Sequence, residues 1–535
     1  MTAGPRAAIF MRLLLLLLAG ALHALAFAPG PLAAALLPVL QVVALAVLAG
    51  AVRHAATVGV ALRQGFAFGL GHFVAGLYWI YISLHVHGQM AAWLAGAAVL
   101  LFAAVLSIYP ALAAALVRRL SGQRSRAGVF MLAWAGSWAG FEWLRGTLFT
   151  GFTWLNAGYA HVDGVLAGWA PVLGVYGVAF AAALVAAGLA VLVADSARGR
   201  IGAAATVMAV LLGGLGLQQF TWGVRAHGQP LALRLVQGNV DQSNKFDPAL
   251  IMAALEKHLA LASRVSTQAG FRPDLVVLPE TAIPLFQDQL PEYLWQPWVD
   301  VAAAWDTTLV TGVALHTAGP DGQSVFTNSV IGLTGDTASV DLVNGRTPFR
   351  YDKAHLVPFG EFVPFGFRWF VDAMVMPMGD FNRGAQRQPP LSVADQRIAF
   401  NICYEDTFGE DLLPALRPGP GGEPGATILA NVSNLGWFGD SSALPQHLQM
   451  ARMRSIETGR PSIRATNTGS TAVIDARGEV QASLPTHSVG VLDTEVQGTT
   501  GLTPYVRWGN LPAIALIALA LLACAVIGAQ RRKSL

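Results

Sequence analysis

The chain has 535 residues, 54% of them hydrophobic and 12% charged, a composition too apolar for a soluble protein and a length too great for a bare helical bundle. A formal net charge of +3, with no Lys/Arg-rich face interleaved with aromatics, removes nucleic acid from the candidate partners. The two cysteines are Cys403 and Cys524, the second inside an apolar C-terminal stretch, so composition argues against a disulfide framework and leaves Cys403 as a free thiol.

Apolar stretches near residues 9–27, 32–52, 59–83, 90–117, 127–145, 170–194, 201–222 and 510–529 each approach the roughly 20 residues needed to cross a hydrocarbon core. They predict an α-helical transmembrane bundle of about eight spans, about seven of them in residues 1–222 and the last in a C-terminal segment 509–535. Short loops rich in Lys and Arg stay cytoplasmic. Arg6 and Arg12, Arg53 and Arg63, Arg118, Arg119, Arg124 and Arg126, Arg198 and Arg200, and Arg531, Arg532 and Lys533 all fall on one side. The loops 85–90 and 146–171 fall on the other, with Arg145 as the one cation at their edge. Both termini are therefore expected in the cytoplasm and residues 223–508 outside it. The end of the first stretch, Ala24-Leu25-Ala26-Phe27-Ala28, has the look of a signal-peptide cleavage site, but Arg12 interrupts the usual order of charge and apolar core, and an uncleaved helix is expected.

Tyr78, Trp79 and Tyr81 read as interface anchors near a helix end. His85 and His87 bracket one residue in a loop and read as solvated rather than as metal ligands. The Gly- and aromatic-rich run 151–159 has two readings, packing within the bundle or a floor for lipid chains that Trp154 would contact.

From about Leu231 the texture changes. Short β-branched runs at 231–236, 275–278, 308–313, 329–333, 398–403, 427–432 and 462–465 predict strands, and apolar positions recurring at three and four predict helices over 250–267 and 446–458. Residues 223–508 are thus expected to form a layered α/β domain large enough for its own core.

Three places in that domain carry the polar groups that matter. Leu275-Val276-Val277-Leu278-Pro279-Glu280 is an apolar strand that stops at a proline and delivers a carboxylate. Lys353 is followed eight positions later by Glu361 in a Pro/Gly loop, and Asn401-Ile402-Cys403-Tyr404-Glu405 ends a strand on a thiol. Taken singly, Glu280 reads rather as a solvated strand end, Lys353 and Glu361 as a surface pair, and Cys403 as a small core residue. Taken together they supply what a thiol attacking an acyl carbonyl needs: Glu280 as the base, Lys353 as the cation for developing negative charge, and Cys403 as the nucleophile. A buried Lys beside the thiol would also favour the thiolate. His355 is a weaker alternative partner for Cys403.

In that order, Pro279-Glu280, the Lys353 loop and Cys403-Tyr404-Glu405 resemble the Glu-Lys-Cys triad of the nitrilase, or carbon-nitrogen hydrolase, superfamily. Gln237-Gly238-Asn239, the run from Lys353 to Pro364, Trp437-Phe438-Gly439-Asp440, Gln446-His447 and Arg464-Ala465-Thr466-Asn467-Thr468-Gly469 are similar to the apolipoprotein N-acyltransferase family, over nearly the whole chain. The resemblance implies an extracytoplasmic nitrilase-like αββα sandwich on a multi-pass anchor in a bacterial inner membrane. It also implies transfer of an acyl chain from a phospholipid to the α-amino group of a diacylglyceryl-modified N-terminal cysteine of a lipoprotein, by ping-pong through a Cys403 thioester. By position it makes Glu361, Tyr404 and Glu405 supporting residues, with Asn328 and Trp437 in the same shell. It implies no cofactor and no metal, and a monomer suffices.

Two departures stand out. Phe246 occupies a place where the family pattern often has Trp, which keeps an apolar wall for acyl chain or headgroup and loses an indole hydrogen bond. Leu435 stands where Asp is commoner. The run 365–378 is unusually apolar for a loop, and either packs in the core or forms a mobile arm that dips Trp369 and Phe370 into lipid. Two other readings remain: a membrane-tethered amidase for a small soluble amide, and a non-enzymatic transporter or scaffold. Eight helices and an apolar loop beside the thiol disfavour the first, and the scarcity of charges within the spans besides Glu142 disfavours the second.

Overall fold

Leu-, Ala- and Val-rich runs with no polar periodicity form helices Pro5–Ala24, Leu37–Arg53, Val58–Gly76, Ala92–Leu106, Ile108–Ser121, Ala127–Arg145, Ala170–Ala194, Ala197–Leu217 and Leu511–Lys533 in the computed structural model, which describes residues 5–122, 126–366, 368 and 380–533. Contacts divide the chain into one unit of Met1–Tyr81, Ala91–Trp222 and Arg507–Leu535, and a second of Ile82–Met90 and Gly223–Val506.

The helical unit turns large apolar side chains such as Phe10, Trp93, Leu101 and Val193 outward, an ordering suited to lipid rather than water. Six segments are long and apolar enough to cross a membrane: Arg6–Ala24, Ala34–Arg53, Ala92–Ser121, Val165–Ala194, Ala197–Leu217 and Leu511–Gln530. Val58–Gly76 and Ala127–Arg145 occupy two of the eight expected spans but stand outside that set; the first carries Arg63, Gln64 and His72, the second Glu142 and Arg145. Two glycines explain how Pro5–Ala24 and Val58–Gly76 pack. A Cβ on Gly20 would lie 1.9 Å from the Phe68 carbonyl oxygen and one on Gly71 1.9 Å from that of Leu17, so the backbones touch where only glycine fits. Some of the buried polar groups pair with one another: His23 Nδ1 lies 3.1 Å from His72 Nδ1, and Gln41 bridges His23 Nε2 at 2.9 Å to His161 Nε2 at 3.0 Å. Arg145 donates to the carbonyls of Phe152 and Trp154 at 2.8 and 2.7 Å. The Trp154 side chain is buried within the protein, its ring 4.9 Å from that of Trp79, which is the packing arrangement of the two readings.

In the second unit, alternation along each strand splits the apolar residues between two faces. Among the described residues a seven-stranded sheet runs Gly490–Val496, Leu231–Gln237, Leu275–Val277, Thr308–Ala318, Ser324–Leu333, Phe349–Asp352, with Ile283–Phe286 paired beside Thr308–Ala318. A six-stranded sheet runs Val480–Ser483, Ala472–Ile474, Ser462–Thr466, Ile428–Ser433, Gln396–Ile402, Leu391–Val393. Each has a parallel centre and antiparallel edges. Leu231, Leu233 and Leu235 from the first sheet meet Ile398, Phe400 and Ile402 from the second in one core. On the opposite faces, Val236, Val276 and Leu309 meet Ile251, Leu255, Trp295 and Trp298 of helices Pro248–Ala262 and Glu292–Trp305, while Ala399 and Leu429 meet Leu412 and Leu416 of Gly409–Leu416. The result is an αββα sandwich.

The strand from Arg225 to Ala226 pairs antiparallel with Thr499–Thr500, so the first and last segments of this unit lie side by side. Ile82–Met90 also belongs here: its π-helical turn Ile82–His87 sits on the turn Leu435–Phe438, with Ser83 Oγ donating to the Trp437 carbonyl at 2.7 Å and the His87 ring 5.9 Å from that of Trp437. His85 binds the Met90 carbonyl at 2.8 Å, so these two histidines are partly buried by protein rather than solvated.

Candidate active site

The strand Leu275–Val277 is buried on both faces and ends at Pro279, which cannot continue the ladder. Glu280 follows, on a turn where Thr281 has a φ of 51°, and the neighbouring strand approaches it closely: a Cβ on Gly312 would stand 2.6 Å from both Pro279 O and Thr281 N. Lys353 follows the strand Phe349–Asp352 directly and is tied to the next strand by its own N–H, 2.9 Å from the Asn328 carbonyl. Cys403 ends the strand Gln396–Ile402 with a φ of 54°, a left-handed conformation that is costly for a residue with a Cβ and is held here by its surroundings.

These strand ends converge. Lys353 Nζ lies 2.9 Å from Glu361 Oε1 and 3.4 Å from Glu280 Oε1. Asn328 Nδ2 donates to Glu280 Oε1 at 2.8 Å and to Glu361 Oε1 at 2.7 Å. Glu361 is fixed further by the Val357 N–H at 2.8 Å, and Glu280 Oε2 accepts from the Asn434 N–H at 2.8 Å. Both carboxylates, the amide and the ammonium are buried, and Cys403 is half-buried beside them.

Glu405 joins the Cys403 segment to the Lys353 segment. Its carboxylate accepts from Tyr351 Oη at 2.9 Å and from the N–H groups of Ile402, Ala354 and His355 at 2.7, 2.7 and 2.9 Å. Asn431 Nδ2 donates to the Cys403 carbonyl at 3.1 Å. Behind Cys403, Asp406 binds His447 Nε2 at 2.7 Å and Arg464 Nη1, a buried pairing that anchors the turn carrying the thiol.

Burial, and then the Glu280 carboxylate, push the Cys403 thiol well above its ordinary range, while Lys353 pulls it back down. Burial opposes the charge on Lys353, but Glu361, Glu280 and Cys403 outweigh it and hold the ammonium well above the usual lysine range. The arrangement is a thiol protonated at rest beside a lysine that stays charged. Among the described residues no group of three or more His, Cys, Asp or Glu side chains is placed to hold a metal ion.

The remaining expected residues fall around this centre. Tyr404 sets its ring against His355 and Phe408, with centroids 5.9 and 5.0 Å away, and His355 itself turns to Asp411 at 2.8 Å. Trp437 is half-buried in the turn after Asn434, Leu435 is buried, and Phe246 is 40% exposed. Trp369 and Phe370 lie outside the described residues.

Sequence reasoning assigned no role to Gln242, Lys245, Asn434 or Asn467. Gln242 Oε1 accepts from Asn434 Nδ2 at 2.7 Å, Asn467 Nδ2 donates to Asn434 Oδ1 at 3.1 Å, and the buried Lys245 lies 3.3 Å from the Glu280 carbonyl. The available signal was a cluster of amides and a lysine where strands end, within runs otherwise treated as family wording.

An αββα sandwich with acid, lysine and thiol at its strand ends is the architecture of a carbon-nitrogen hydrolase domain, and the carbon-nitrogen hydrolase family model matches residues 233–505. The model of the apolipoprotein N-acyltransferase N-terminal domain matches residues 19–188. The apolipoprotein N-acyltransferase of Bordetella bronchiseptica is 55% identical over 96% of this chain and 96% of that one, and that of Ralstonia nicotianae is 46% identical over 97% and 93%. This chain belongs to the apolipoprotein N-acyltransferase family. A CN-hydrolase superfamily protein from Xanthomonas campestris overlaps at 20% identity and a TM-score of 0.37, covering 54% of this chain and 97% of that one.

Proposed function

We propose that Cys403, Glu280 and Lys353 carry out N-acylation of lipoproteins: an acyl chain passes from a phospholipid to the α-amino group of a diacylglyceryl-modified N-terminal cysteine. The observation that carries this reading is the convergence of Glu280, Lys353, Asn328 and Glu361 beside the half-buried thiol, in a chain whose other part presents apolar helices.

Glu280 takes the proton from Cys403 Sγ, and the sulfur attacks the ester carbonyl carbon of the donor. Lys353 offsets the charge gathering on the carbonyl oxygen. As the tetrahedral adduct collapses the ester C–O bond breaks, the leaving lysophospholipid oxygen takes the proton from Glu280, and an S-acyl thioester remains. The acceptor amine then attacks the thioester, giving a proton to Glu280. Collapse releases the Cys403 sulfur, which recovers that proton, and leaves an amide on the lipoprotein. Both substrates are membrane-anchored, which gives the helical unit its purpose, and a single chain carries every residue used, so a monomer suffices.

The alternation of arginines along the helical unit supports a bacterial inner-membrane protein with both termini cytoplasmic, the catalytic domain on residues 223–508 periplasmic, and residues 1–222 and 509–535 as anchor. Incubation of the full-length protein with phospholipid tests the chemistry by intact mass. An added acyl mass that hydroxylamine removes and that Cys403→Ala lacks is the expected result; absence of the adduct from the unaltered protein refutes the reading.

A further inference from the structure

The mechanism leaves the buried cation Lys245 unused. Lys245 is 2% exposed and lies in the loop that follows the strand Leu231–Gln237. Among the described residues its one hydrogen bond runs to the main-chain carbonyl of Glu280, at 3.3 Å. A buried ammonium with so few partners is costly to keep, so the site holds it against a penalty.

The same loop reaches Glu280 twice. Lys245 takes its carbonyl, and Gln242 takes Asn434 Nδ2 at 2.7 Å, whose own N–H takes the carboxylate Oε2 at 2.8 Å. The base is thus clamped at main chain and side chain, on the turn where Thr281 has a positive φ and Gly312 allows close approach. We propose that Lys245 is a positioning residue of the acyl-transfer site: it holds the peptide of the base Glu280 in place and sets a second positive charge beside the Glu280–Cys403 pair. This rests on the assignment of Glu280 and Cys403 made above.

The titratable groups facing Lys245 are Glu280 and Cys403 on one side and His258, from the helix Pro248–Ala262, on the other. Burial pushes Lys245 down to about 7, against the pull of Glu280 and Cys403, so its charge responds to theirs near neutral pH. Burial, then the Lys245 charge, hold His258 down at about 3, so the imidazole stays neutral and does not compete.

The test uses full-length protein with phospholipid donor, reading the rate of Cys403 thioester formation by intact mass from pH 5 to 9 for the unaltered chain and for Lys245→Met, Lys245→Gln and Lys245→Arg. Loss of the cation should slow acylation about tenfold and move the acid limb of the profile up by about one pH unit, because carboxylate and thiolate each lose a favourable neighbour. Lys245→Arg should return the limb to its original place even if its bulk slows the rate. A neutral variant whose limb does not move, at whatever rate, overturns the proposal, as does an arginine variant that shifts like the methionine one. If Lys245→Met fails to fold, the Gln and Arg variants decide between the same outcomes. Failure of the unaltered protein to form a thioester refutes the triad assignment instead.

Discussion

Lys353 stands closer to Glu361 than to Glu280: its Nζ is 2.9 Å from Glu361 Oε1 and 3.4 Å from Glu280 Oε1. Glu361 thereby takes the larger share of the ammonium. Glu361→Gln should collapse Lys353 onto Glu280 and lower acyl transfer by about one hundredfold, the scale of a general base put out of use. Single-turnover thioester formation measures it, with thermal unfolding as the control for folding.

Glu280→Gln should separate two quantities that usually move together. Acyl transfer falls by about a hundredfold or more with the base gone. Alkylation of Cys403 by iodoacetamide moves the other way, because the Glu280 carboxylate is part of what raises the thiol. Removing that negative charge lowers the thiol's pKa, so the alkylation midpoint shifts to lower pH. A midpoint that rises or stays put would show that the two groups do not face each other.

Lys353→Met should have the opposite sign at the thiol. The ammonium pulls the Cys403 pKa down, so its loss pushes the alkylation midpoint to higher pH. Acyl transfer should drop by about 10²–10³, the scale of losing one donor to a developing oxyanion.

Gly312→Ala tests whether the base's position depends on a glycine with no chemistry of its own. The added methyl meets Pro279 O and Thr281 N at 2.6 Å, so the Glu280 turn must shift. The expected cost is about 1–3 kcal/mol in stability, read by denaturation, with a loss of acylation larger than stability accounts for.

Glu405→Ala should damage both halves of the site at once. Four donors lose their acceptor, three of them backbone N–H groups at the nucleophile and the lysine. At about 1–3 kcal/mol for a buried donor left unsatisfied, the protein should unfold markedly earlier, whereas Tyr351→Phe, which removes one bond, should cost about 1 kcal/mol.

The sandwich was legible because its central strands are short β-branched runs, and the positions of Glu280 and Cys403 because each stands at the end of such a run. Edge strands such as Phe349–Asp352 and Gly490–Val496 carried no comparable apolar pattern, and helices Glu292–Trp305 and Gly409–Leu416 were obscured by Pro297 and Pro414 inside them. Arg63, Glu142 and Arg145 make Val58–Gly76 and Ala127–Arg145 less apolar than the other six expected spans, and the position of Trp79 beside Trp154 was not legible from the aromatic content of 151–159. Lys245 was invisible for a different reason. Its meaning comes from a loop that folds back onto a peptide 35 positions away, and no local spacing encodes that contact.

The pairing of Arg225–Ala226 with Thr499–Thr500 bears on how the catalytic half could be handled. Its two ends leave through one doorway, joined by a short ladder of their own. An engineer wishing to graft it onto another anchor would have these adjoining ends to rejoin and the separate segment Ile82–Met90 to carry across with it.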